Sequence, residues 1–220
     1  MRYLTSANVA CGGHAGDTKS MAVCVRLARQ YHVRLGAHPG AWDRANRGRG
    51  PIEISPDELE LLLIHQVAAL EKIARANAVK LHHIKLHGGL YHAAEESEAL
   101  GRRYIAMARR WWRGVMIYAR AGGRVARAGR SAGVMVWEEA FLDRNYREDG
   151  SLVPRTAPNA LLGDIRAVAE RLGDLIGDGA VRTTTGTRIR LIPQTLCIHS
   201  DTPNAVEFAR VAAKLIKVRC

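Results

Sequence analysis

Short apolar runs alternate along the chain with longer segments whose apolar positions recur at i, i+3 and i+4. Leu4–Cys11 predicts a strand running into a loop, Ser20–Tyr31 an amphipathic helix, and Val33–Ala37 a short strand ending in His-Pro-Gly. Ser55 has the chemistry of an N-cap, Pro56 suits the first helical position and Glu58 follows three residues on, so a long helix is predicted to about Asn77. Leu81–Leu86 then reads as a strand ending in HGGLYH.

The second half keeps this rhythm. Glu95–Trp112 predicts one helix, Val115–Ala119 a strand, Gly123–Ser131 a short helix, and Val134–Trp137 a strand ending in EEAFLDRNY. Asn159–Ile176 reads as a helix, Val181–Ile192 as a hairpin turning near Thr185-Gly186, Thr195–Ile198 as a strand ending in HSDTP, and Pro203–Lys217 as the last helix. Repeated strand–helix units imply a largely parallel sheet covered by helices, here a single α/β domain over residues 1–220, open or closed into a barrel.

Composition narrows the class. With 220 residues, 47 % of them apolar, the chain is long enough to bury a substantial core. It has no apolar run of membrane-spanning length and no signal-peptide pattern, so it reads as soluble and cytoplasmic, without a membrane partner. Cys11, Cys24, Cys197 and Cys220 are widely spread and read as free thiols in a reducing compartment. The net charge of +12 comes largely from arginines such as Arg102, Arg109, Arg113, Arg124 and Arg127, at helical spacings in alanine-rich segments. They read as solvated helix faces that attract anions; no nucleic-acid-binding motif accompanies them.

Candidate chemistry sits where strands end. His14 and Asp17, His38, His87, Glu139 with Asp143, and His199 with Asp201 each follow a predicted strand. In parallel α/β folds those ends face the active site, so these groups are expected around one mouth. Taken singly, each has a plainer reading: Asp17-Thr18 and Asp201-Thr202-Pro203 also suit N-caps, and His32, His65, His82 and His83 fall inside elements as structural or surface residues. Imidazoles and carboxylates together can bind a divalent metal or act as general acid and base, and the spacing does not separate the two. Candidate metal ligands are His14, Asp17, His38 and His87. Lys85 lies two residues before His87, on the same side of an extended strand, and can supply a positive charge for an oxyanion or phosphate, or an interior ion pair. No P-loop is present.

Five blocks in order, SANVACGGHAGD, LGAHPG, HIKLHGGLYH, EEAFLDRNYREDGSLVPR and LCIHSDTPNAV, resemble the LamB/YcsF family of 5-oxoprolinase A subunits. The resemblance implies a parallel (β/α)7-type barrel similar to the glycoside hydrolase/deacetylase superfamily. It also implies ATP-dependent hydrolysis of 5-oxo-L-proline to L-glutamate, with Mg implied alongside ATP and with partner subunits B and C. The matching positions are Asn8, His14, Asp17, His38, Lys85, His87, Tyr91, Glu139, Asp143, Arg144, Tyr146, Arg155, His199 and Asp201. Of these, His14, Asp17, His87, Glu139, Asp143 and His199 are expected to be catalytic. Asn8, His38, Lys85, Tyr91, Arg144, Tyr146, Arg155 and Asp201 are expected to bind substrate or phosphate.

The chain departs from the family pattern at several places. Gly13 stands where the family has Phe, Leu86 where it has Pro, Gly89 where it has Ala, His92 where it has Asn and Ser200 where it has Gly. The family's first strand and acidic Asn-x-Asp-x-Gly-Glu block do not occur ahead of Ser6, so the barrel is expected to lack its first strand. That leaves a second expectation beside the hydrolase: a shortened, non-catalytic scaffold subunit, or a related metal-dependent deacetylase or carbohydrate hydrolase.

Overall fold

The computed structural model describes residues 1–219, with side chains through Lys217; Cys220 lies outside the described residues. Two compact units are present, one formed by residues 1–119 and 123–137, the other by 120–122 and the chain from 138 onward.

In the first unit β1 (Ser6–Ala10), β2 (Arg34–His38), β3 (Leu81–Ile84) and β4 (Met116–Arg120) pair side by side in chain order, all parallel. Parallel neighbours need a crossover, and α1 (Thr18–Gln30), α2 (Pro56–Ala76), then α3 (Gly88–Glu96) with α4 (Glu98–Trp111) supply it. α5 (Arg124–Ser131) follows β4. The strands are buried along much of their length, as parallel strands with helices on a face are: Leu35, Ala37, Ile84 and Ile117 are all within 1 % of full burial. α2 lays Leu59, Leu62, Leu63, Val67, Leu70 and Ala74 into this core. Each buried leucine contributes about 1.5–3 kcal/mol over its exposed state. Tyr104 of α4 ties helix to sheet by donating its hydroxyl to the Ile84 carbonyl at 2.9 Å.

The second unit pairs β5 (Val136–Phe141), from Glu138 on, with β8 (Thr195–Cys197) in parallel. It adds an antiparallel hairpin of β6 (Ala180–Arg182) and β7 (Arg188–Arg190), turning at Gly186 as the sequence predicts. α6 (Ile165–Gly177) packs on α7 (Ala205–Arg219) and on β6, with Val168, Leu172, Val181 and Phe208 buried.

Three predicted elements move. The helix expected over Glu95–Trp112 is two helices, because Ser97 closes α3 with its amide on the Ala93 carbonyl and opens α4 by accepting from the Leu100 amide. The strand expected at Val134–Trp137 runs on to Phe141, so Glu139 lies inside β5 rather than after it. Strand pairing continues there because Glu139, Ala140 and Phe141 pair in parallel with Thr195, Leu196 and Cys197, and the Gln194 amide donates to the Glu138 carbonyl at 2.8 Å. The helix expected from Asn159 begins at Ile165 behind the N-cap Asp164; Ala160 and Leu162 instead engage the Asp143–Asn145 backbone. Among the described residues no helix is long and apolar enough to cross a membrane, and Cys11, Cys24 and Cys197 are free thiols.

Candidate functional site

In the first unit the carboxyl ends of β1, β2 and β3 deliver His14, His38 and His87. Their ring nitrogens form the one histidine cluster with metal-ligand spacing among the described residues, one nitrogen from each lying within 4.8 Å of the others. His14 lies flat on His87, ring centroids 3.6 Å apart, and His38 stands edge-on to both.

Backbone geometry puts them there. Beyond the last residue of β3 the ladder continues, Lys85 donating its amide to the Ala37 carbonyl and His87 to that of Pro39. The segment Asp43–Gly50 folds over the cluster: Arg44 donates to the carbonyls of Gly12 and Gly16, and Gly89 donates its amide to the Gly48 carbonyl. Gly48, at φ +65°, allows the closest approach, since a Cβ there would fall 2.7 Å from that of His14.

Hydrogen-bond partners fix the protons. His38 Nδ1–H donates to the Lys85 carbonyl at 2.7 Å, and His87 Nε2–H donates to the Arg47 carbonyl at 2.8 Å. Carbonyls only accept, so in the neutral rings the lone pairs fall on His38 Nε2 and His87 Nδ1. Those two atoms face each other at 2.9 Å. His14 Nδ1 is buried with no hydrogen-bond partner among the described residues. Burial, with Arg49 and Arg44 adding repulsion, lowers the His14 pKa to about 4; burial, with His14 next, lowers that of His87 to about 3. Burial first, then His87 and Lys85, holds His38 well below the ordinary range. Lys85 is buried, and its ammonium lies 5.9 Å from the centre of the Tyr91 ring, a cation–π distance.

A second histidine pair closes without such a conflict. His82 Nδ1–H donates to His83 Nδ1 at 3.2 Å, and His83 Nε2–H donates to Asn8 Oδ1 at 2.7 Å. His83 also stacks on Tyr118, centroids 3.7 Å apart.

The second unit holds a carboxylate–imidazole pair. Asp143, fully buried, accepts from the His199 amide at 2.9 Å, from His199 Nδ1–H at 3.0 Å and from the Thr202 hydroxyl at 2.5 Å. Burial alone would raise the Asp143 pKa, but these hydrogen bonds outweigh it and hold the carboxyl below its ordinary range. With its Nδ1 proton committed to Asp143, His199 presents the lone pair of Nε2, the arrangement of an oriented general base. Phe141 stacks against the ring. Arg155 and Asp201 form an ion pair at 3.0 Å.

Other predicted residues are placed differently. Asp17, expected beside His14, is exposed and builds a capping box for α1 with Ser20, whose amide it accepts at 2.7 Å. Its short side chain turns to the orphan amides of the helix, the plainer of its two readings. Tyr146, expected at the substrate, is buried, with its hydroxyl accepting the Phe141 amide at 2.6 Å and the Arg171 guanidinium over its ring. The Arg144 guanidinium is buried and donates to the carbonyls of Val153 and Ala160, pinning its own loop. Glu139 is buried within β5.

From sequence His83 reads only as structural, as its buried place on Asn8 bears out, Thr202 only as part of an N-cap, whereas its hydroxyl serves Asp143, and Gln66 does not stand out at all. Gln66 donates to the Gly40 carbonyl at 2.7 Å and accepts the Gly40 amide at 3.1 Å, completely buried on α2. A Cβ on Gly13 would lie 2.5 Å from Gln66 Nε2, so this glutamine fills the space that opens where the family has Phe. The loss of Phe at position 13 was the one signal in the sequence that pointed to it.

Parallel strands joined by helices, with a histidine cluster at the strand ends of one unit and a carboxylate–imidazole pair in the other, define a parallel α/β protein. The family model of the LamB/YcsF family matches residues 1–219, and the chain belongs to that family. It is 41 % identical over 207 residues to the 5-oxoprolinase A subunit of Pyrococcus furiosus, covering 94 % of this chain and 81 % of that protein. It is 42 % identical to the corresponding 5-oxoprolinase protein of Shouchella clausii, covering 95 % of this chain and 83 % of the relative. Among solved structures, a lactam utilization protein from Thermus thermophilus superposes with a TM-score of 0.90 at 32 % identity, over 99 % of this chain and 87 % of that one.

Proposed function

We propose that this chain is the A component of a 5-oxoprolinase, opening the cyclic amide of 5-oxo-L-proline to L-glutamate in concert with partner subunits B and C. The observation that carries the reading is the buried Asp143 holding His199 with a free Nε2 lone pair, in a chain whose relatives at 41–42 % identity bear that name. Hydrolysis of the lactam forms a C–O bond from water to the carbonyl carbon and breaks the ring C–N bond. One proton leaves the water and one reaches the departing nitrogen. His199 Nε2 is suited to take the first, and Asp143 stabilises the imidazolium that results.

A five-membered lactam is a stable amide, and ATP, when bound, would supply the activation by passing its γ-phosphoryl group to the carbonyl oxygen, with ADP as the leaving group and the phosphoryl group released as inorganic phosphate once water has added. Residues that fit phosphate or the substrate carboxylate are cationic: in the first unit Lys85, with Arg44 and Arg49 near His14, and in the second Arg155, held by Asp201. The three-histidine cluster contains no carboxylate and does not suit Mg2+, a hard ion that prefers oxygen, so the Mg2+ belongs with the ATP phosphates.

The test mixes the full chain with its B and C partners, 5-oxo-L-proline, ATP and Mg2+, and measures glutamate. His199→Ala and Asp143→Ala are each expected to lower release by about 100-fold or more, the loss typical of a general base. Unchanged release in both variants removes the pair from the mechanism. Absence of release from the unaltered complex overturns the reading itself.

A further inference from the structure

His38 and His87 present an unbalanced pair. Each commits its outer N–H to a backbone carbonyl, of Lys85 and of Arg47, and each therefore turns a lone pair inward, onto the other, at 2.9 Å. Two facing lone pairs are satisfied only by something positive between them: a proton or a metal cation. The outer N–H-to-carbonyl bonds are the pattern that orients metal-ligating histidines and fixes their tautomer. His14 is a third imidazole at the same place, its buried Nδ1 without a hydrogen-bond partner among the described residues and a ring nitrogen within 4.8 Å of the other two. A shared proton would leave His14 unused; a cation has a role for all three.

We propose that His38 Nε2, His87 Nδ1 and a ring nitrogen of His14 form a site for one borderline divalent transition-metal ion, of the Zn2+ and Co2+ class. Three neutral imidazoles without carboxylate select that class over Mg2+ and Ca2+. Bonds of about 2.0–2.1 Å at a tetrahedral angle need nitrogens about 3.3 Å apart, so His38 and His87 open by a few tenths of an ångström to admit the ion. His14 lies with its plane only 10° from that of His87, so its lone pairs run alongside those of His87 rather than converging with them. It is therefore the weakest ligand of the three. Lys85, Arg44 and Arg49 lower the affinity for any cation, and they favour an anion in the open fourth position.

The site is independent of the proposed reaction, and its test reads binding rather than turnover. The full chain, stripped with chelator, is titrated with Co2+ followed by visible absorption, and with Zn2+ by calorimetry. The expected result is one equivalent bound with the intense d–d band of a four-coordinate Co2+ ion carrying imidazole ligands. His38→Gln and His87→Gln, which keep side-chain volume, are expected to weaken binding by more than about 100-fold and His14→Gln by about 10-fold. His65→Gln, on the surface of α2, leaves it unchanged. No stoichiometric binding by the unaltered, folded chain overturns the proposal. So does binding that survives in both His38→Gln and His87→Gln, and so does a proton NMR signal of a hydrogen shared by the two rings in the presence of excess Zn2+.

Discussion

The buried His83 makes stability depend on pH in a calculable way. Burial, then His82 and nearby Lys85 and Arg34, lowers its pKa to about 2 in the folded chain, against about 6.5 when unfolded. Below pH 6.5 the unfolded chain takes up a proton that the folded chain refuses, so this group's contribution is intact above pH 6.5 and is lost as pH falls, down to about pH 2. Linkage puts the loss at about 2 kcal/mol by pH 5, against almost none at pH 7. The perturbation is His83→Gln, which keeps a donor for Asn8 and does not titrate. Urea unfolding of the unaltered chain and the variant at pH 7 and pH 5 gives the gap between them at each pH. The variant starts less stable at pH 7, because the ring stacked on Tyr118 is gone. At pH 5 the gap is expected to shrink by about 2 kcal/mol, out of a typical total of about 5–15 kcal/mol. A gap that is the same at both pH values refutes the reasoning, since it would mean that His83 titrates alike in both states.

Three further substitutions test the packing around the two clusters. Gly36→Ala puts a methyl 1.9 Å from His83 Nε2 across the β2–β3 pair, and overpacking of this kind costs about 1–3 kcal/mol, read as a lowered Tm. Gln66→Leu leaves the Gly40 amide and carbonyl buried without partners and is expected to cost about 2–5 kcal/mol in urea unfolding, although Leu fits the space. Thr202→Val removes one of the hydrogen bonds that keep the Asp143 carboxyl low, so the acidic limb of glutamate release moves to higher pH while Thr202→Ser restores it; an unmoved limb shows that Thr202 only packs.

Elements were legible in the sequence where a local signal fixed both ends. Ser55, Pro56 and Glu58 announce the start of α2, and the reciprocal bonds of a capping box are present there, Glu58 amide to Ser55 Oγ at 3.2 Å and Ser55 amide to the Glu58 carboxylate at 2.8 Å. Helix α3 was hidden because it opens on His87-Gly88-Gly89, residues with no helical preference; what holds its start is the carbonyl of Gly48, distant in the chain, which accepts the Gly89 amide. β5 was cut short because Glu138 and Glu139 read as polar loop, whereas backbone pairing with Gln194 and β8 makes them strand. In each case a contact distant in sequence overrode the local pattern.

The same division holds for the chemistry, and here residue type misleads where proton count does not. Four histidines near the ends of β2 and β3 look alike in the sequence, yet they form two networks of opposite character. His82, His83 and Asn8 form a chain in which each ring N–H along it meets an acceptor, because it ends on a side-chain oxygen that accepts. His38 and His87 form a chain that ends on a backbone carbonyl at both sides, so its middle is left with two acceptors and no donor. A buried polar network that is complete contributes to the fold, whereas one left unsatisfied awaits a ligand. The difference rests on which group stands at each end, Asn8 in one and the carbonyls of Lys85 and Arg47 in the other, and only the folded backbone brings those ends into place.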